Sequence, residues 1–232
     1  MIIAVLVRLL VPVFLALLTA GCGSSPGREA APATSPTTGK TPPPPIDTRP
    51  VIAAFGDSLS AGFGLAPGDS YPSDLQRLLD GAGYNYHVVN MGVSGDTTTD
   101  GTVRLPDVIA LHPEIVILEF GGNDGLRGQP VNATRENLAT MIEGLQKAGA
   151  TVVLAGITLP RNYGPDYIKQ FDTVFTDLAT KYRLTRIPFL LEGVGGNPKL
   201  TQADGLHPTA EGSAIVAKTV MKYLEPLLKR QG

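Results

Sequence analysis

From Pro50 onward the chain alternates between two hydrophobic periods. Short runs rich in β-branched residues, apolar at nearly every position, read as buried strands. They are Val51 to Phe55, Tyr86 to Asn90, Ile115 to Phe120, Thr151 to Ile157 and Thr185 to Leu190. Between them apolar residues recur at the three- and four-residue spacing of amphipathic helices. Ser73 to Ala82 carries Leu75, Leu78 and Leu79, and Asn137 to Gly149 carries Leu138, Met141, Ile142 and Leu145. Tyr167 to Tyr182 carries Phe171, Val174, Phe175 and Leu178, and Thr209 to Lys229 carries Ile215, Val216, Val220, Tyr223 and Leu224. Strands alternating with helices, and strands apolar on both faces, predict an α/β domain whose parallel sheet is covered on each side.

Ahead of Pro50 the pattern breaks. Leu9 to Ala20 is an apolar run after Arg8, and it closes on Leu18-Thr19-Ala20-Gly21-Cys22. A short apolar run ending in small residues reads as an export signal, and it falls short of the roughly 20 residues that a membrane span needs. The terminal Gly-Cys resembles a bacterial lipoprotein signal, in which Cys22 is lipidated and becomes the mature N-terminus. Thr19 stands where that pattern usually has leucine. An ordinary signal peptide with a chance cysteine is the plainer alternative. Gly23 to Pro50 is dense in Pro, Ser, Thr, Ala and Gly, with four consecutive prolines from Pro42 to Pro45. Such a segment buries too little apolar surface to offset its ordering entropy, so it reads as an extended tether. Its Gly23-Ser24-Ser25-Pro26-Gly27 matches a G-x-S-x-G nucleophile pattern, but without the flanking strand and helix that such a turn requires. The expected organisation is a signal over 1–21, a tether over 22–49 and one catalytic domain over 50–232. The protein is expected to be exported and lipid-anchored to a bacterial membrane, facing the periplasm or the exterior.

Composition narrows the chemistry. The 232 residues suffice for one full-sized core. The net charge is −2 and the 19 Lys and Arg residues are scattered, so there is no basic footprint for nucleic acid. Cys22 is the single cysteine, which excludes an intrachain disulfide and a cysteine zinc site. The three histidines, His87, His112 and His207, leave few choices for a general base.

Sites in parallel sheets lie beyond the carboxyl ends of the strands. Strand one is followed by Gly56-Asp57-Ser58-Leu59, where the serine stands at the exit of a tight turn; an Asp/Ser helix cap is the structural alternative. Strand two is followed by Gly92-Val93-Ser94-Gly95-Asp96-Thr97, a loop able to present backbone N–H groups, or simply a capping loop with Asp96 or Thr97 as the cap. Strand three is followed by Gly121-Gly122-Asn123-Asp124, in which Asn123 can donate toward the cleft; Gly and Asn also make ordinary turns. The last helix is preceded by Asp204-Gly205-Leu206-His207-Pro208. A carboxylate three residues before an imidazole can accept Nδ1–H and leave Nε2 to face the serine. His87 and His112 have no carboxylate so placed and read as structural.

Together these four blocks resemble those of the SGNH (GDSL) hydrolase family over residues 51 to about 226. Gly121 to Gly128 and Leu159-Pro160-Arg161-Asn162-Tyr163-Gly164 resemble its bacterial periplasmic branch of acyl-thioesterases, lysophospholipases and arylesterases. The resemblance implies a three-layer α/β/α sandwich like flavodoxin, with five parallel strands in the order 2-1-3-4-5. It implies Ser58 as nucleophile, His207 as general base and Asp204 as the acid that orients it. The oxyanion hole would be the N–H of Ser58, the N–H of Gly95 and the side-chain amide of Asn123. Leu126, Leu159 and Pro160 are expected to line an acyl pocket, under a mobile loop from Gly125 to Pro130. No metal or organic cofactor is called for. The expected partners are a small acyl ester or thioester and, through Cys22, the membrane; no protein partner is evident. Asp57, Asp96 and Asp124 are expected to shape the loops, and Glu119 receives no role. An O-deacetylase acting on carbohydrate or cell envelope is the second enzymatic reading, and a non-catalytic binding lipoprotein is a third of a different kind.

Overall fold

The computed structural model describes residues 47–230. The expected signal, Cys22 and the tether as far as residue 46 lie outside the described residues. Contacts to the domain begin ahead of the expected boundary at residue 50. The Asp47 carboxylate pairs with Arg49 (2.6 Å) and lies 3.1 Å from His87 Nδ1, and Arg49 reaches Asp80.

Five strands form one parallel sheet: β1 (Val51–Gly56), β2 (His87–Gly92), β3 (Ile115–Glu119), β4 (Thr151–Ala155) and β5 (Thr185–Ile187). Their order is β2-β1-β3-β4-β5, as the resemblance implies. β1 and β3 are buried almost throughout, which is why their sequences are apolar at successive rather than alternate positions, with Glu119 at the end of β3 the exception. In register, Gly56 sits between Gly92 and Glu119. The first three strands therefore end level with one another, and the loops that follow them open side by side.

The larger helices are α2 (Tyr71–Gly81), α3 (Thr98–Ile109), α5 (Val131–Lys147), α6 (Pro165–Tyr182) and α7 (Ala210–Leu224), with short helices α1 (Ser58–Ala61) and α4 (Gly122–Leu126) at the strand ends. α2 packs against α7, while α5 packs against both α3 and α6. α5 and α6 bury the stripes that their periodicity predicts, Leu138, Met141, Ile142 and Leu145 of α5 and Phe171, Val174, Phe175 and Leu178 of α6.

The differences from the expected elements have local causes. α3 was not expected, because its buried stripe is weak: Thr98, Gly101, Leu105 and Val108, with Pro106 inside the helix and Val103 exposed. A capping box between Thr97 and Asp100 starts it. α5 begins at Val131 rather than Asn137. β5 stops at Ile187 because Pro188 follows and cannot donate to a ladder. α7 ends at Leu224, and a 3-10 turn from Glu225 to Leu227 replaces its expected last turns around Pro226.

Candidate active site

β1 delivers the serine. Gly56 has no room for a side chain: a Cβ there would lie 2.3 Å from both Glu119 Oε2 and Ser60 Oγ. The chain can turn directly over the end of β3 only because this residue is glycine. Asp57 then caps α1, accepting the N–H of Leu59 at 3.1 Å. Ser58 is the first residue of α1 and is half-buried.

The segment before α7 delivers the histidine. His207 Nε2 lies 2.8 Å from Ser58 Oγ, and its Nδ1 lies 2.6 Å from Asp204 Oδ2. Asp204 Oδ1 accepts the backbone N–H groups of Leu206 (2.9 Å) and His207 (3.0 Å), so one carboxylate folds the turn and orients the ring. Partial burial works to raise the Asp204 carboxyl. The His207 ring and the two backbone donors outweigh it and hold the group down at about 2. Asp204 is therefore ionised wherever His207 could act as a base.

Two residues that carried no sequence signal lock this segment to the turn after α1. Gln202 Nε2 donates to the carbonyls of Phe63 (2.7 Å) and Pro208 (2.9 Å). The Phe63 ring lies against the His207 imidazole, with centroids 4.7 Å apart. The Gln202–Phe63 and Phe63–His207 contacts each join residues more than a hundred positions apart, beyond the reach of any local pattern.

The Gly95 loop and α4 close the other side. Among the described residues no protein acceptor takes the N–H of Ser58 or of Gly95. Arg127 Nη2 donates to the Gly95 carbonyl at 2.8 Å and ties that loop to the end of α4. Asn123 reaches the same place, but its amide is engaged: Nδ2 donates to Asp57 Oδ2 (3.1 Å) and to the Asp96 carbonyl (2.9 Å). The expected loop-shaping acids do this work in part. Asp124 receives the Thr98 N–H at 2.9 Å, whereas the Asp96 side chain pairs with Arg104 Nε at 2.6 Å. Arg104 also donates to the carbonyls of Met91 and Gly56, with its guanidinium over the Phe55 and Phe120 rings. It is a third structural residue of the site that the sequence did not disclose.

A cavity of about 350 Å³ opens in front of Ser58. The expected Leu126, Leu159 and Pro160 line it, joined by Ile157, Leu191 and Phe63. The segment expected to be a mobile loop is in part the helix α4, and it is tied down. A Cβ on Gly125 would lie 2.4 Å from the Leu159 side chain, so the helix rests directly on that residue. Tyr163 Oη donates to the Leu126 carbonyl and Tyr167 Oη to that of Gln129, each at 2.8 Å. His87 and His112 lie outside the cavity lining, His87 beside Asp47 and His112 with φ of +47° just before Pro113.

A family model described as the GDSL-like lipase/acylhydrolase family matches residues 54–215. "Esterase TesA" of Pseudomonas aeruginosa is 44% identical over 178 residues, covering 76% of this chain and 89% of that protein. "Thioesterase 1/protease 1/lysophospholipase L1" of Escherichia coli is 36% identical over 178 residues, covering 76% of this chain and 84% of that protein. A crystal structure of TesA superposes with a TM-score of 0.75 at 42% identity, covering 77% of this chain and 99% of that one.

Proposed function

Because the chain belongs to the GDSL-like lipase/acylhydrolase family, we propose that Ser58, His207 and Asp204 form the triad with which it hydrolyses carboxylic esters or thioesters through an acyl-enzyme. The protein is an ester-bond hydrolase with the SGNH fold. The observation that carries the triad assignment is the unbroken relay from Asp204 through His207 to Ser58, at 2.6 and 2.8 Å, facing two backbone N–H groups with no protein acceptor.

The steps follow from the contacts. His207 Nε2 takes the Ser58 proton as Oγ attacks the substrate carbonyl carbon. Asp204 holds the ring in the tautomer with its proton on Nδ1 and stabilises the imidazolium that forms. The N–H groups of Ser58 and Gly95 receive the oxyanion, and one Asn123 hydrogen turns from Asp57 to join them. His207 then protonates the leaving alcohol or thiol. Water repeats the sequence on the acyl-enzyme.

The apolar lining supports an acyl chain as the bound part of the substrate. Each buried CH₂ contributes about 0.8 kcal/mol, so kcat/KM should rise about three- to fourfold per carbon until the cavity is full. Leu126→Ser should flatten that slope while turnover of acetyl esters stays near that of the wild type. Measuring kcat/KM for nitrophenyl esters from acetate to decanoate tests both statements. Parallel profiles would remove Leu126 from the acyl pocket. A wild-type optimum at acetate would favour the O-deacetylase reading instead.

The N-terminal sequence supports export with lipidation at Cys22. Cys22→Ser should release the exported protein from membranes into the soluble fraction, with specific activity unchanged because Cys22 is remote in sequence from all four blocks. Persistent membrane fractionation of that variant would rule out lipidation as the anchor.

A further inference from the structure

Beneath the nucleophile lies a buried acid that the steps above do not use. Glu119 ends β3 beside Gly56 and is 1% exposed. Its Oε2 accepts from Ser60 Oγ at 2.9 Å and from the Asp57 N–H at 3.2 Å. Its Oε1 is sealed from solvent, and among the described residues no N–H or hydroxyl donor reaches it. The carboxyl of Asp57, only 2% exposed, lies in hydrogen-bond contact with that of Glu119. Ionised carboxylates only accept, so two of them in contact require a shared proton. The other donors decide where it sits. Asp57 receives the Leu59 N–H and the Asn123 amide, each at 3.1 Å, both of which favour its charged form. Glu119 has the Ser60 hydroxyl and one longer backbone contact.

The remaining titratable groups around the pair leave this assignment standing. Tyr71, from α2, touches the Ser60 hydroxyl at 3.0 Å, and burial together with the nearby acids keeps it a neutral phenol. Arg104, from α3, reaches the Gly56 carbonyl at 3.0 Å but is paired with Asp96. Burial pushes the Asp57 carboxyl up to about 6, and against it the Leu59 N–H, the Glu119 and Asn123 side chains and a charge on His207 all favour its carboxylate.

We propose that Glu119 is a positioning residue: a carboxylic acid that keeps its proton in the working enzyme and donates it to the Asp57 carboxylate under the oxyanion hole. Its catalytic part rests on the reading of Ser58 as nucleophile. The proton leaves one negative charge beside the hole instead of two. It also draws the Asp57 charge toward Glu119, which loosens the hold of Asp57 on the Asn123 amide and lets that amide turn to the oxyanion. Burial pushes the Glu119 carboxyl well above its ordinary range, and the Asp57 charge adds to the effect.

The sign of the pH dependence follows. Above the ordinary glutamate value of 4.5, the unfolded chain releases this proton while the folded chain retains it. Stability is then lost as pH rises, up to the raised folded value. Glu119→Gln keeps a donor and an acceptor but cannot titrate. Denaturant unfolding of both proteins between about pH 5 and pH 8 should show the folded-to-unfolded ratio of the wild type falling relative to that of the variant by about tenfold per pH unit. A constant ratio would mean that Glu119 is ionised in the folded state, and the proposal would be wrong. This arm needs no activity, so it stands apart from the assignment of Ser58.

The second arm is kinetic. Glu119→Met fills the space without a proton to give, and kcat should fall about tenfold or more with KM little moved. Glu119→Gln should recover most of that loss, and it should lack the alkaline decline of kcat that ionisation of Glu119 gives the wild type. A Gln variant as impaired as the Met variant would overturn the positioning role. Should the Met variant fail to fold, the alkaline limbs of the wild type and the Gln variant decide the same question: a decline shared by both would overturn it.

Discussion

Replacing Ser58 with alanine should lower turnover of a nitrophenyl ester by at least about three orders of magnitude and leave the fold intact. Among the described residues the Ser58 hydroxyl meets His207 Nε2 at 2.8 Å and, more loosely, Asp57 Oδ1 at 3.5 Å. Its one close contact joins α1 to the His207 segment, and its loss leaves no cavity of consequence, so unfolding should shift by no more than about 1.5 kcal/mol. What remains in the variant is a site with oxyanion donors and a base but no attacking oxygen of its own. Such a site retains only the modest acceleration that binding and charge stabilisation supply. Turnover within a hundredfold of the wild type, alongside an unchanged unfolding curve, would show that another group attacks the substrate.

The second large effect concerns Asn123. Asn123→Ala should reduce kcat by about 10²–10³ while KM changes little, because an oxyanion donor acts mainly when charge develops. The resting contacts make this a sharper test than usual. The amide already donates to Asp57 and to the Asp96 carbonyl, so alanine also removes a clip between the nucleophile turn and the Gly95 loop. A purely structural role would appear as lost stability and a raised KM. An unchanged kcat would take Asn123 out of the hole.

The sheet and four of its long helices were legible because burial on both faces writes a simple period into the sequence. β1 and β3 are apolar at successive steps up to Glu119, and α5 and α6 carry unbroken stripes. α3 was not legible, since close packing there uses Thr98 and Gly101, which no hydrophobic period registers. The Ser58, Gly95, Asn123 and Asp204–His207 segments were legible for another reason. Each alone is an ordinary cap or turn, but the four stand together at successive strand ends and before the last helix, where a parallel sheet places its site. The residues that hold those segments in register were hidden. Gln202, Phe63 and Arg104 each have at least one partner far along the chain, Phe63, His207 and Gly56 respectively, and nothing in their immediate neighbours marks them. Glu119 was visible as an acid in an apolar strand, but its meaning depends on Asp57 lying against it, which only the pairing of β1 with β3 reveals. The segment after Asn123 was legible only in part: its glycines suggested a loop, whereas its first residues belong to α4, and Gly125 lets that helix lie close against Leu159.

Covalent labelling of the resting enzyme tests the central claim most directly. A fluorophosphonate places a tetrahedral phosphorus on an activated serine and an oxygen in the oxyanion hole. Peptide mass spectrometry of the labelled wild-type protein should find the adduct on Ser58, with none on the Ser58→Ala variant and much slower labelling of His207→Ala. An unlabelled wild-type protein, or an adduct on Ser60 or Ser94 that persists in Ser58→Ala, would contradict the account.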